Sequence, residues 1–132
     1  MTDRVPDEQR ERIAADPYCD RLGIDLVDLG PGTATTELAV TDDLLNFHGT
    51  PHGGAVYSLA DAAFAAASNA EGDTAVALET NMSYLDTVEV GETLVATAER
   101  EHRTRRTASY RVDVTDEAGT EIATFRGRVY LP

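Results

Sequence analysis

Between Asn46 and Asp73 the chain reads NFHGTPHGGAVYSLADAAFAAASNAEGD, and this stretch concentrates the residue types able to do chemistry. It holds His48 and His52, the pair Gly53-Gly54, and the run AVYSLADAAFAAA (55–67), in which Asp61 is the sole charged residue. The alanine-rich composition predicts a helix from Gly54 to about Asn69, closed by Gly72 and, being apolar on every side, buried. On its wheel Asp61 neighbours Gly54, Tyr57, Ser58, Phe64, Ala65 and Ser68, none of them a cation. A buried carboxylate without a counter-charge either acquires a raised pKa or is kept beside a functional cleft. Bonding to backbone amides, or exposure through a gap, is the non-functional alternative. At the start of the helix the glycine N–H groups lack intrahelical partners and the dipole favours negative charge. Such amides can stabilise an oxyanion, an effect worth roughly 3 kcal/mol per donor.

Geometry links the two features. Gly54 and Asp61 are seven residues apart, about 10.5 Å along a helix, too far for one carbonyl to meet both. A second copy with its helix antiparallel would set its Asp61 against the first copy's glycine amides, so a dimer with two shared sites is expected. Other chemistries fit less well. His48 and His52 have metal-ligand spacing, but Gly49 and Pro51 between them break a helix, and no metal is expected. No G-x-S-x-G elbow is present; Ser58 and Ser68 lie inside the helix as packing residues, and His102 is expected to be exposed.

The elements that must position these residues can be read from periodicity. A short helix near residues 7–15 precedes two strands, LGIDLVDLG and GTATTELAV, around Pro31-Gly32; four more follow the helix: TAVALETNMSYL, ETLVATAERE, TASYRVDVTD and EIATFRGRVYL. The separators VEVG, HRTRR and DEAG are short enough for antiparallel neighbours. One long helix among six strands implies an α+β domain, an antiparallel sheet wrapped around a central helix.

At 132 residues the chain fits one domain, 1–132, with residues 1–20 as a helical extension. No apolar run approaches the roughly 18 residues of a membrane span, and the charged start is not a secretory leader, so a cytoplasmic protein is expected. Cys19 is the single cysteine, and no spacing suggests structural zinc. The formal net charge is −13, from 24 acids and 11 arginines with no lysine. That balance argues against nucleic-acid binding and suggests a protein adapted to high salt. Residues 100–132 nevertheless hold 7 arginines against 5 acids, including Arg103, Arg105 and Arg106 in REHRTRRTASYR. These form either a solvated hairpin tip or an anion site suited to phosphate.

LNFHGTPHGGAVYSLADAAFAAASNAEG resembles the signature of the hotdog-fold acyl-CoA thioesterases of the phenylacetic-acid-degradation type, N-x-x-G-x-x-H-G-G followed by a helix with L-A-D. The similarity continues through LETNMSYLDTVEVGETLVATAERE to DEAGTEIATFRGRVYL. It implies a hotdog fold, homodimers that pair into tetramers, and hydrolysis of an acyl-CoA without a cofactor. It implies Asp61 as general base or nucleophile, Gly53 as the amide polarising the thioester carbonyl, and Asn46 and His52 as polar groups near it. Asp86-Thr87 stands where the family often has a basic residue and proline, which leaves Arg103, Arg105, Arg106, Arg126 and Arg128 as candidates for the coenzyme phosphates. Gly54, Tyr57, Phe64, Thr80 and Ser83 are further candidates at the substrate. The same fold hosts acyl-thioester dehydratases and acyl-CoA-sensing modules, which stand as the alternatives.

Overall fold

The computed structural model describes residues 4–72 and 74–132; the first three residues of the expected N-terminal extension, and Asp73, lie outside the described residues. Helices α1 (Asp7–Ala14) and α2 (Pro17–Leu22) precede strands β1 (Ile24–Gly30) and β2 (Thr33–Ala39). Helix α3 (Gly53–Asn69) follows a loop, and then come β3 (Val76–Tyr84), β4 (Thr93–Arg103), β5 (Thr107–Thr115) and β6 (Glu121–Tyr130). The strands form one antiparallel sheet in the order β1-β2-β4-β5-β6-β3, curled around α3. This is the hotdog architecture expected from the sequence. Among the described residues no helix is long and apolar enough to cross a membrane.

One pairing differs from expectation. β3 is not the neighbour of β4; it pairs with β6 at the sheet edge, and β4 lies between β2 and β5. β2 and β4 both alternate buried and exposed residues (Ala34, Thr36, Leu38; Leu94, Ala96, Ala98), the pattern of strands central to a half-buried sheet. VALETNMSY has no such alternation; seven of its nine residues are exposed, and it takes the edge. The crossing is pinned at both ends. The Leu85 and Asp86 amides donate to Ile122 O (2.8 and 3.2 Å), while Val40 N donates to Glu92 O and Gly91 N to Val40 O, both at 2.9 Å.

The sheet wraps closely because the helix face it meets is built from small residues. Ala60, Ala63 and Ala67 are at most 1% exposed, and Leu59 and Phe64 fill the spaces between them. Each large side chain contributes about 1.5–3 kcal/mol by burial. Phe64 lies against Tyr110 and Phe125 and over Gly127, where an added Cβ would stand 2.6 Å from the ring.

Contrary to the expectation from its composition, the helix is not buried on every side. Gly54, Asp61 and Ala65 are exposed and Ser58 half-buried, a stripe that the chain's own sheet leaves open. A single sheet can cover only one side of a helix; α1 and α2 pack over part of the other. α2 falls largely within the helical extension expected over residues 1–20, but it is a second helix, separate from the one expected near residues 7–15. Its signals were nevertheless present. Asp16 caps it by accepting from Cys19 N (3.0 Å), Pro17 occupies its first turn, and Gly23 ends it in the left-handed conformation (φ 84°).

Candidate active site

The loop before α3 is tied by one side chain. Asn46 Oδ1 accepts from His48 N (2.9 Å), Thr50 N (3.2 Å) and Thr50 Oγ1 (3.2 Å). Its Nδ2 has no acceptor among the described residues. His52 then caps the helix, its Nδ1 accepting from Gly54 N at 2.8 Å. A Cβ on Gly54 would lie 2.9 Å from that nitrogen, so glycine there leaves room for the cap. Of the two glycine amides, Gly54 N–H is therefore engaged, while Gly53 N–H has no acceptor among the described residues. Tyr84, at the end of β3, donates its hydroxyl to Gly53 O (3.1 Å). Pro51, Gly53, Val56, Tyr84, Thr87 and Val88 line a cavity of about 220 Å³ there.

Asp61 lies two turns further along the open face of α3, and no hydrogen bond or ion pair compensates it among the described residues. Its side chain reaches solvent, yet burial against its neighbours, with Asp16 adding like charge, raises its carboxyl above the ordinary aspartate range. The same setting, burial first and Asp16 next, pushes the Cys19 thiol up to about 12, so that cysteine is no thiolate nucleophile near neutrality.

The other predicted positions divide. The Tyr57 hydroxyl hydrogen-bonds Thr80 Oγ1, placing both half-buried residues between α3 and β3. Phe64, at 2% exposure, belongs to the core, not to the face that carries Asp61. Ser83 pairs with Thr124 in the register that puts Asn81 beside Arg126 and Glu79 beside Arg128, on the outer face of the sheet, away from the helix. His52 is a cap and His48 sits in the exposed loop; no cluster of three metal-ligating side chains occurs among the described residues. Ser58, expected as packing, instead hydrogen-bonds the Tyr18 hydroxyl (2.8 Å).

The arginine hairpin lies at the far end of α3. Arg103 and Arg100 pair with Glu71, and Arg106 donates to the Tyr130 hydroxyl (3.2 Å). Along α3 that end is about 24 Å from Gly53 and about 12 Å from Asp61, at about 1.5 Å per residue. Arg126 and Arg128 on the outer face pair with Glu101 (2.6 Å) and Glu79 (3.1 Å). Tyr84 and Asp16 escaped sequence inspection, because their approach to Gly53 and Asp61 comes from elements distant in the chain.

Among the described residues, a free amide at a helix start and an unpaired carboxylate two turns on are of the types that could serve a carbonyl, the one as donor to its oxygen and the other as base or nucleophile toward its carbon. The model of the Thioesterase superfamily matches residues 48–123. The acyl-coenzyme A thioesterase PaaI of Escherichia coli K12 is 38% identical over 107 residues, which cover 81% of this chain and 76% of that protein. A variant of the phenylacetic acid degradation protein PaaI from Thermus thermophilus superimposes with a TM-score of 0.85 at 44% identity, covering 89% of this chain and 100% of that one. The smu.793 protein of Streptococcus mutans UA159, solved with acetyl CoA, superimposes with a TM-score of 0.78 at 28% identity, covering 83% of this chain and 88% of that one.

Proposed function

The chain belongs to the thioesterase superfamily and is a thioester hydrolase, and from that premise we propose that it cleaves acyl-CoA to the free acid and CoA across a dimer interface. The observation that carries this reading is the pairing of an unengaged Gly53 N–H with an uncompensated Asp61 on the open face of α3. Gly53 N–H receives the thioester oxygen as it gains charge, helped by the helix dipole. Asp61 of a second copy either takes the proton of an attacking water, or attacks the carbonyl itself to form a mixed anhydride that water then hydrolyses to the free acid; in both routes the C–S bond breaks and the thiolate leaves. A thiol of pKa near 8.5 is a competent leaving group, so one base and one oxyanion donor suffice. His52 keeps Gly54 N–H engaged and so holds the helix start in place, while the unengaged Asn46 Nδ2 is a donor for the water or the carbonyl.

The dimer is supported by surfaces that a lone chain leaves apolar. The β3 edge exposes Val76, Leu78, Tyr84 and Leu85, each by about half, and Phe47 in the loop before α3 is 93% exposed. Two such dimers pairing into a tetramer, a cytoplasmic location and a working environment of high salt belong to the same proposal. The last is supported by the lysine-free surface and net charge of −13. The arginine hairpin, on the Asp61 side of the site, remains the candidate for the coenzyme phosphates.

Thiol release from short, medium and aromatic acyl-CoAs, assayed from low to high salt, tests the proposal. Asp61→Asn is expected to lose about 100-fold or more in kcat while keeping the size of the wild type. Comparable turnover by both proteins would remove Asp61 from the chemistry. Binding of acyl-CoA by the wild type without thiol release would instead favour a sensor.

A further inference from the structure

The free N–H of Gly53 stands in a glycine pair, the most permissive dipeptide a chain can use, so the backbone alone does not hold its direction. Three hydrogen bonds outside the regular helical ladder hold it. The His52–Gly53 peptide, which carries the free N–H, is tied at its carbonyl, which accepts from Ala55 N at 3.0 Å. The next peptide, Gly53–Gly54, is gripped at both ends. Its N–H donates to His52 Nδ1 (2.8 Å), and its carbonyl, Gly53 O, accepts from the Tyr84 hydroxyl (3.1 Å). Two of these bonds are local to the helix start, whereas the third comes from β3, 31 residues on. Tyr84 is itself fixed, by pairing with Ala123 of β6 and by the Leu85 amide on Ile122 O (2.8 Å) just beyond it. Its ring packs on Gly53, where an added Cβ would meet ring and hydroxyl at 3.4 Å. Burial, and after it the nearby Tyr57, raises the Tyr84 hydroxyl above the ordinary tyrosine range, so it keeps the proton it donates.

We propose that Tyr84 is a positioning residue for the oxyanion amide: by holding Gly53 O it fixes the glycine pair in the orientation that aims Gly53 N–H at the thioester oxygen. The inference rests on the thioesterase reading and deepens it. The two peptide planes meet at Gly53 Cα, so holding both removes the freedom that glycine's φ and ψ would otherwise have. The first turn of a helix is where intrahelical bonds are fewest, and a tie from the sheet counters its fraying. An oxyanion donor works because it is already in place when charge develops, and a misplacement of about 1 Å can cost about 100-fold in rate. With its proton committed to Gly53 O, the Tyr84 hydroxyl has none to offer the substrate, so it acts through the glycine.

Tyr84→Phe tests this with two readouts. It removes the hydroxyl but keeps the ring against Gly53, and because Tyr84 is about half exposed the loss of one oxygen leaves folding intact. With rates taken per dimer, kcat and kcat/KM for an acyl-CoA are expected to fall together by about 10-fold or more with KM unchanged, the pattern of an interaction that counts only in the transition state. Independently of hydrolysis, hydrogen exchange of the Gly54 amide, at the other end of the gripped peptide, should speed up by about 2- to 10-fold, the worth of one neutral hydrogen bond. In an active wild type, an unchanged kcat in Tyr84→Phe overturns the positioning role whatever the exchange rate does. A rise in KM alone also overturns it, since the hydroxyl would then touch the substrate, and so does a fall in kcat with exchange at the wild-type rate. If the wild type releases no thiol yet exchange speeds up in the variant, the hold of Tyr84 on the helix start stands and the thioesterase chemistry falls. If neither thiol release nor a change in exchange is seen, both fall.

Discussion

Asp61 is set up by what surrounds it and by what is missing. The groups facing it from α2 are the Asp16 carboxylate and the Cys19 thiol, and no cation offsets them among the described residues. Burial is the larger cause of its raised pKa and Asp16 the smaller. A base or nucleophile works only when ionised, so a raised pKa moves the acid limb of the pH–rate profile upward. Removing Asp16's charge moves it back. In Asp16→Asn the acid limb of kcat/KM should lie at lower pH than in wild type, with the neutral-pH plateau largely kept. A limb at the same or higher pH would mean that the two carboxylates are not coupled. Residue types alone exposed the anomaly of a lone acid in an alanine helix, but not the partner that tunes it. Asp16 is 45 residues away in sequence, and only the folding of α2 against α3 brings it near.

At the scale of elements, α3 and the sheet fit through one missing side chain. Gly127 on β6 leaves the space that the Phe64 ring occupies, between Tyr110 and Phe125. The ring cannot withdraw without opening the core, so Gly127→Ala is expected to cost about 1–3 kcal/mol by overpacking. Denaturant unfolding measures this, and an unchanged midpoint would show that the ring adapts. The helix itself was legible in the sequence, since alanine content, the histidine–glycine start and the lack of proline all agree. The β-hairpin of β4 and β5 was equally legible: its tip, Thr104 to Thr107, closes with a 2.7 Å backbone bond where the arginine run falls. The place of β3 was not. Connection length allows a hairpin with β4, and the choice of β6 depends on which strands compete for the central positions of the sheet.

For the whole molecule, the proposed site needs two chains, and the exposed apolar edge of β3 is where a second copy would pair. Leu78→Lys adds a charge to that edge, a device by which natural edge strands block pairing. The expected outcome is a monomer by light scattering, with thiol release falling in step with the fraction of dimer lost. Full activity in a monomer would exclude the shared site. By itself, the sequence determined the six strands, the central helix, the lone acid and the glycine amides about two turns before it, because periodicity, propensity and rise per residue are local properties. Only the tertiary structure decided that Gly53 rather than Gly54 keeps a free N–H, that Phe64 is core and Ser83 faces outward, and that the arginine hairpin sits at the far end of α3. It also decided that the helix keeps an open face, along which Asp61 lies. Those outcomes depend on which surfaces are left over once the sheet has curled, and burial of that kind is set by contacts between residues far apart in the chain.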